Sequence, residues 1–511
     1  MEIYRSISPI EGVEKKMGKI ILMVAIILGL NALIPIAHAD SNDKIHKIEQ
    51  FVEEQMEISQ IPGISVVIVE KGKTVYQKGF GYADVKEKIP VTSQTLFELA
   101  STSKAFTGLA ILQLEKEGLL KRTDDVRKYI PWLELEYEGE PQTITINQLL
   151  HHTSGIASNT IVHIPESNAD NALELTVRTL LDQPLNRKPD SSFEYATINY
   201  DVLGLVIENV SKQPYELYIK EQLLEQIVMK DSYVGLHQVQ SDDLATGYKI
   251  GFMRAQEYTP PIYRGNIPAG YIVSNTNDIA KWLNLHLGAI QNDTISKQTI
   301  EQSHIPNQSL EPILQDTYYA SGWSVEEKND KRYIWHDGAN PTFSSYFIMQ
   351  PDEQIGVAIL SNMDTTFTTA IGKSVMDLWE GKNVNLNHTD GYQKMDKVVT
   401  ILCIIIGCLG IIFSVLLLRN LWKFKRKQRA WALLKGKRIF LFVFHSLFVA
   451  VILILVMVAP KILNMNWEFI RVWGPTSISV FYYSGIATII IYYLSVLWII
   501  ITKKVSLLER K

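Results

Sequence analysis

The chain has 511 residues, 47% of them apolar, and a formal net charge of −4. That length holds more than one domain, and the small net charge hides an uneven spread: residues 397–511 carry 16 Lys or Arg against 2 Asp or Glu, whereas residues 40–396 carry 30 against 49. An acidic soluble part argues against nucleic acid and anionic polymers as partners. The 2 cysteines, Cys403 and Cys408, lie in an apolar run, which excludes a disulfide framework or a catalytic thiol in the soluble part.

Lys15, Lys16 and Lys19 precede an apolar run from Ile20 to Ala37, and Ala37-His38-Ala39 offers a small-residue cleavage site. Residues 1–39 therefore read as a secretory signal peptide, with an uncleaved signal anchor as the alternative. Ile45, Ile48, Val52 and Met56 recur at helical spacing. Ile64–Val69 and Thr74–Phe80 alternate as strands joined at Lys71-Gly72-Lys73, which predicts a hairpin.

Glu98-Leu99-Ala100-Ser101-Thr102-Ser103-Lys104 then leads into an apolar helix, Phe106 to Leu114. Ser-x-x-Lys puts a hydroxyl and an amine on one helix face. A serine needs a base to become nucleophilic, and a desolvated lysine loses its charge readily. In His151-His152-Thr153-Ser154-Gly155 the two rings point to different faces, so shared metal ligation is not expected and both histidines read as loop supports. Tyr195-Ala196-Thr197 precedes another helix; its tyrosine is suited to carry a proton to a leaving amine. Further on, His336-Asp337-Gly338-Ala339 is read at a strand end. Gly338 there would let substrate approach the backbone, the N–H groups of Ala339 and Ser101 would form an oxyanion hole, and His336 reads either as a structural residue of the strand or as a donor to bound substrate.

Strands are expected at Tyr319–Val325, Arg332–Trp335, Phe343–Met349 and Gln354–Leu360. Strands at both ends with helices between predict an α+β domain over 40–396. Val398–Leu418, Ile439–Ala459 and Ile478–Thr502 are each long enough to cross a bilayer, giving a membrane domain over 397–511. Arg419–Arg438 contains nine Lys or Arg and no acid, so the positive-inside rule puts this loop and the C-terminus in the cytoplasm and the soluble domain outside. The spans contain no Asp, Glu, Lys or Arg, which argues against a transport pathway through them. His445 is read as a packing residue.

The order Ser-x-x-Lys, His-His-Thr-Ser-Gly, Tyr-Ala-x, Pro268-Ala269-Gly270-Tyr271 and His-x-Gly resembles the class C β-lactamase and penicillin-binding-protein-like serine hydrolases over about residues 45–385. The resemblance implies a D,D-peptidase-like fold, an acyl-enzyme on Ser101, proton handling by Lys104 and Tyr195, and no cofactor or metal. Stretches 98–109, 199–204, 247–252, 340–345 and 472–477 are similar to the colibactin-maturing peptidase and its zwittermicin-type relatives. In that group an N-acyl-D-asparagine leader is removed outside the cytoplasm from an inactive polyketide–nonribosomal-peptide precursor. The likeness implies that Glu98, Thr197 and Asn340 contact the leader. Asn266 stands where the colibactin enzyme has histidine, and Thr197 where β-lactamases usually have asparagine. An exporter is a further expected partner. Two other readings stay open: a wall-directed D,D-carboxypeptidase or D-alanyl esterase of the same fold, and a non-catalytic sensor or transporter-associated protein.

Overall fold

A computed structural model describes residues 43–505; the expected signal peptide at 1–39 lies outside them. The first described helix, α1, covers 43–59. An eight-stranded antiparallel sheet follows, built from both ends of the soluble part. Its strands are β1 (Gly63–Glu70), β2 (Lys73–Asp84), β3 (Ile89–Pro90), β4 (Thr317–Tyr319), β5 (Ser324–Lys328), β6 (Lys331–Asn340), β7 (Phe343–Gln350) and β8 (Ile355–Ser361). The spatial order is β4-β5-β6-β7-β8-β1-β2-β3, so β1 pairs with β2 on one side and with β8 on the other.

The hairpin between β1 and β2 turns through Lys71 and Gly72, both at positive φ, the twist that suits a two-residue connection. β1 is buried from Gly63 to Val69 because both of its faces are covered. Ile64, Val66 and Ile68 pack with α1 and with α5 (Phe367–Trp379, which follows α2–α4 below), while Val67 and Val69 join the larger core on the opposite face. That larger core contains α2 (Lys104–Lys116), α3 (Ile198–Ser211) and α4 (Thr276–His286). α2 is buried from Lys104 to Leu114, and its Phe106 ring stacks on Trp282 of α4.

Two strand expectations need correction. Tyr319–Val325 is not one strand: the chain turns between Tyr319 and Ser324, giving β4 and β5. The strand expected to end at Trp335 runs on to Asn340, so His336 to Ala339 lie inside β6 rather than at its end. β5 pairs with β6 only from Lys331 to Trp335. The rest of β6 is paired with β7 alone, and its other edge is open.

Three apolar helices long enough to cross a membrane close the chain: α6 (Gly391–Lys425), α7 (Lys437–Ile462) and α9 (Thr476–Ile501). Between the last two lies the short α8 (Trp467–Trp473). α6 starts at Gly391, ahead of the boundary expected at 397; the Asp390 side chain caps it by accepting from the N–H groups of Tyr392 and Gln393. The soluble domain rests directly on these helices. Asp396 accepts from the N–H groups of Phe252 and Met253, and a Cβ on Gly251 would lie 1.7 Å from Thr476 Oγ1, so only glycine permits this approach.

Candidate active site

Ser101 sits in a 3-10 turn, Ala100–Ser103, that runs directly into α2. Ala100 is held at φ 49°, an unfavourable conformation for a residue with a Cβ. The surroundings fix it. Thr102 Oγ1 and Ser345 Oγ both donate to Leu99 O, and Ser103 Oγ accepts from the N–H of Ile272. Gly338 serves this turn. A Cβ there would lie 2.6 Å from Leu99 O and 2.4 Å from Ser345 Oγ. The glycine thus admits the nucleophile turn to β6, rather than substrate to the backbone as the sequence suggested.

Lys104 is fully buried, and its Nζ lies 3.1 Å from Ser101 Oγ, 3.0 Å from Thr197 Oγ1 and 2.7 Å from Ala269 O. Loss of solvent lowers its pKa to about 7, against the opposing charges of Asp201 and Asp337. An uncharged amine keeps two N–H donors and one lone pair. With the donors spent on Thr197 and Ala269, the lone pair is left for the Ser101 proton. Thr197 therefore orients the lysine, a role that the sequence did not assign to it.

The Tyr195 phenol is buried and faces Ser101 without closing a hydrogen bond of ordinary geometry. Burial pushes its pKa well up, opposed by the Ser101 hydroxyl, so it holds its proton at neutral pH. It is suited to donate a proton, not to remove one. The tyrosine ring stands 5.1 Å from Lys104 Nζ and packs on His152, with ring centroids 4.4 Å apart. His152 Nδ1 accepts from the Asn199 amide, and desolvation drives the His152 pKa well below the usual range, helped by the nearby Lys104 charge. This histidine props the tyrosine. His151 Nδ1 bonds Asn147 O.

His336 does not offer substrate a donor. Its Nδ1 is 2.6 Å from Asp337 O and its Nε2 is 2.9 Å from the Tyr319 hydroxyl, so both ring nitrogens are occupied. Ala339 lies on the open-edged part of β6, and Ser101 lies in a first turn, where backbone N–H groups have no acceptor within the helix.

Glu98 is buried behind the site, not in its wall. Its Oε2 accepts from Asn340 Nδ2 at 2.5 Å, and its Oε1 has no hydrogen-bond partner among the described residues. Burial raises its pKa to about 7, against the Asn340 hydrogen bond. Asn340 Nδ2 also donates to Gly270 O, which commits both amide hydrogens and leaves Oδ1 as an acceptor. A Cβ on Gly270 would lie 3.3 Å from this oxygen and 3.8 Å from Asn266 Oδ1. Asn266 is mostly buried, lines the same cleft, and its side-chain amide makes no protein hydrogen bond among the described residues.

Ser101, Tyr195, Thr197, Asn266 and Asn340 open into one cavity of about 730 Å³, within the usual range for small-molecule sites. Glu166, Asp337 and Glu468 place carboxylates on its lining, and among the described residues no Lys or Arg lines it. Asp201, missed in the sequence, lies below. Both of its oxygens are buried without a hydrogen bond among the described residues, and burial raises its pKa against the Lys104 charge. Only its place one helical turn after Thr197 hinted at it.

A family model described as Beta-lactamase matches residues 48–374. "Protein flp" of Staphylococcus aureus (strain N315) is 32% identical over 451 residues, covering 86% of this chain and 87% of that protein. "Penicillin-binding protein 4*" of Bacillus subtilis (strain 168) is 28% identical over 361 residues, covering 66% and 76%. Among solved structures, the octameric penicillin-binding protein homologue from Pyrococcus abyssi aligns with a TM-score of 0.59 at 30% identity, covering 66% of this chain and 78% of that one. The chain belongs to the β-lactamase and penicillin-binding-protein-like family of serine hydrolases.

Proposed function

We propose that this protein is a membrane-anchored serine peptidase. In this reading its active site stands outside the cytoplasm and removes an N-acyl-D-asparagine leader from an inactive polyketide or nonribosomal-peptide precursor, with an exporter as the natural neighbour. Lys104 takes the Ser101 proton as Oγ bonds the carbonyl carbon of the D-asparagine. The N–H groups of Ala339 and Ser101 receive the oxyanion. Tyr195 gives its proton to the departing nitrogen as the C–N bond breaks and is replenished from Lys104. Water then attacks the ester, Lys104 takes its proton, and Ser101 regains its hydroxyl as the acyl-asparagine leaves.

The observation that carries the asparagine reading is the pair of carboxamides about Gly270. Asn340 presents a committed acceptor, and Asn266 presents an amide with no protein partner. A primary carboxamide on the substrate satisfies both, and a substrate lacking it leaves buried polar groups unpaired. The lining supports the same choice. A D,D-carboxypeptidase must hold a terminal carboxylate, and a teichoic-acid esterase must approach a polyanion. Among the described residues this cleft is lined with carboxylates and no Lys or Arg. The penicillin-binding-protein relatives favour the wall-directed enzyme as a second reading.

The test is to offer purified full-length protein an N-acyl-D-Asn amide, its L-isomer, the D-Ala analogue and wall peptide ending in D-Ala. Cleavage of the D-Asn amide alone, with an acyl mass on Ser101, is expected. Equal turnover of D- and L-isomers overturns the proposal, and release of D-alanine from the wall peptide establishes the second reading instead.

A further inference from the structure

The cavity around Ser101 is not closed by the soluble domain alone. Phe469 and Trp473 of α8 line it, together with Ile161, Val162 and Ile164 of the soluble domain. α8 joins two apolar helices long enough to span a bilayer, so the chain itself keeps it at a membrane surface. Its surroundings have interfacial chemistry. Trp467 packs on Tyr482, with ring centroids 4.4 Å apart, and Arg471 donates to the Tyr483 hydroxyl. Trp and Tyr concentrate at the headgroup level of membranes. Phe469 and Trp473 stack on each other at 5.7 Å and remain half-buried, leaving apolar surface turned to the cavity.

One side chain of the soluble domain fixes this wall. Lys249 lies on the hairpin Tyr248–Gly251 and Arg254–Glu257, buried and 4.2 Å from the Tyr258 ring centroid. Its Nζ donates to Arg471 O at 2.8 Å and Val472 O at 2.7 Å. These carbonyls end α8, where no intrahelical donor remains and the helix dipole favours a cation.

We infer that α8 is the apolar wall of the substrate cleft, that it receives the alkyl tail of an amphiphilic acyl substrate entering from the membrane surface, and that Lys249 is the positioning residue that holds it against the site. This deepens the proposed function and rests on its Ser101 acyl chemistry, but not on the asparagine head group. The helices then complete the active site as well as anchor it. The tail would lie along Phe469, Trp473 and the 161–164 segment while the scissile carbonyl reaches Ser101 in the same cavity.

The experiment uses the full chain in phospholipid nanodiscs and p-nitrophenyl esters of acetate, octanoate and myristate, which report Ser101 acylation without any asparagine. For the native protein, kcat/KM is expected to rise with chain length. Phe469→Ala with Trp473→Ala lowers the myristate-to-acetate ratio by about 10- to 100-fold. Lys249→Met lowers it in the same direction, and Lys249→Arg restores part of it; a general loss of fold scales all three esters together and leaves the ratio unchanged. Ratios that match the native protein in variants that keep native acetate turnover overturn the inference. If the ratio falls as expected while no D-Asn amide is cleaved, the asparagine reading fails and the wall stands.

Discussion

Lys104 and Lys249 are both buried lysines that donate to backbone carbonyl oxygens, and burial lowers the pKa of both, to about 7 and about 8. They serve opposite parts of the cleft. Lys104 belongs to the floor, where the 3-10 turn, β6, α3 and the 267–270 turn meet, and a nucleophile hydroxyl is among its partners. Lys249 belongs to the outer wall, where both of its hydrogen-bond acceptors are carbonyls at the end of one short helix. A desolvated amine becomes a base only where a proton donor completes its coordination; elsewhere it is a clamp. The buried floor is thus suited to the reaction, and the junction with the apolar C-terminal helices to the proposed choice of tail.

Substitutions at the floor carry the largest expected effects. Ser101→Ala is expected to lower kcat/KM by about 10⁴-fold or more; a variant that keeps full activity would move the chemistry elsewhere. The base acts in its unprotonated form, so kcat/KM should rise as pH climbs through about 7, the Lys104 value, and level off above it. Lys104→Met should abolish that limb along with the activity. A profile that falls over this range would exclude Lys104 as the base.

The polar side of the cleft should give the next largest effect. Asn340→Ala is expected to reduce the preference for D-Asn over D-Ala amides by about 100-fold, measured as a ratio of kcat/KM values. Gly338→Ala forces a Cβ to 2.6 Å from Leu99 O. It should cost about 1–3 kcal/mol of stability in denaturant unfolding and slow acylation without changing substrate preference.

The smallest effect concerns Glu98. Its folded pKa lies above the usual value of 4.5, at about 7. The folded state then binds more protons than the unfolded one between these values. The contribution of Glu98 to stability is full below about 4.5 and is lost as pH rises through about 7. Glu98→Gln, which still accepts from Asn340, should flatten the decline of Tm over that window. An unchanged slope would mean that Glu98 does not titrate there.

Much of the floor was legible from spacing. Ser-x-x-Lys and the apolar runs announce themselves because one helical turn or one bilayer thickness is written in adjacent residues, whereas Tyr195, one of 23 tyrosines, stands out only through the family resemblance. The rest depends on contacts far apart in the chain. Nothing near Gly338 indicates that Leu99 presses on it, and His336 looks free until Tyr319 takes its second nitrogen. Glu98 reads as a cleft residue until Asn340 is seen in front of it. The outer wall was least visible, since Trp467–Trp473 reads only as a loop between two spans until Lys249 is found to hold it.

The central place of β1 has a consequence for biogenesis. Its two neighbours are β2, made at once, and β8, which ends at Ser361. Nearly the whole hydrolase sequence must therefore leave the ribosome before its first strand is flanked on both sides. Until then the sticky Ile64–Val69 segment waits with an open edge, a hazard for misassembly that a folding helper is well placed to cover.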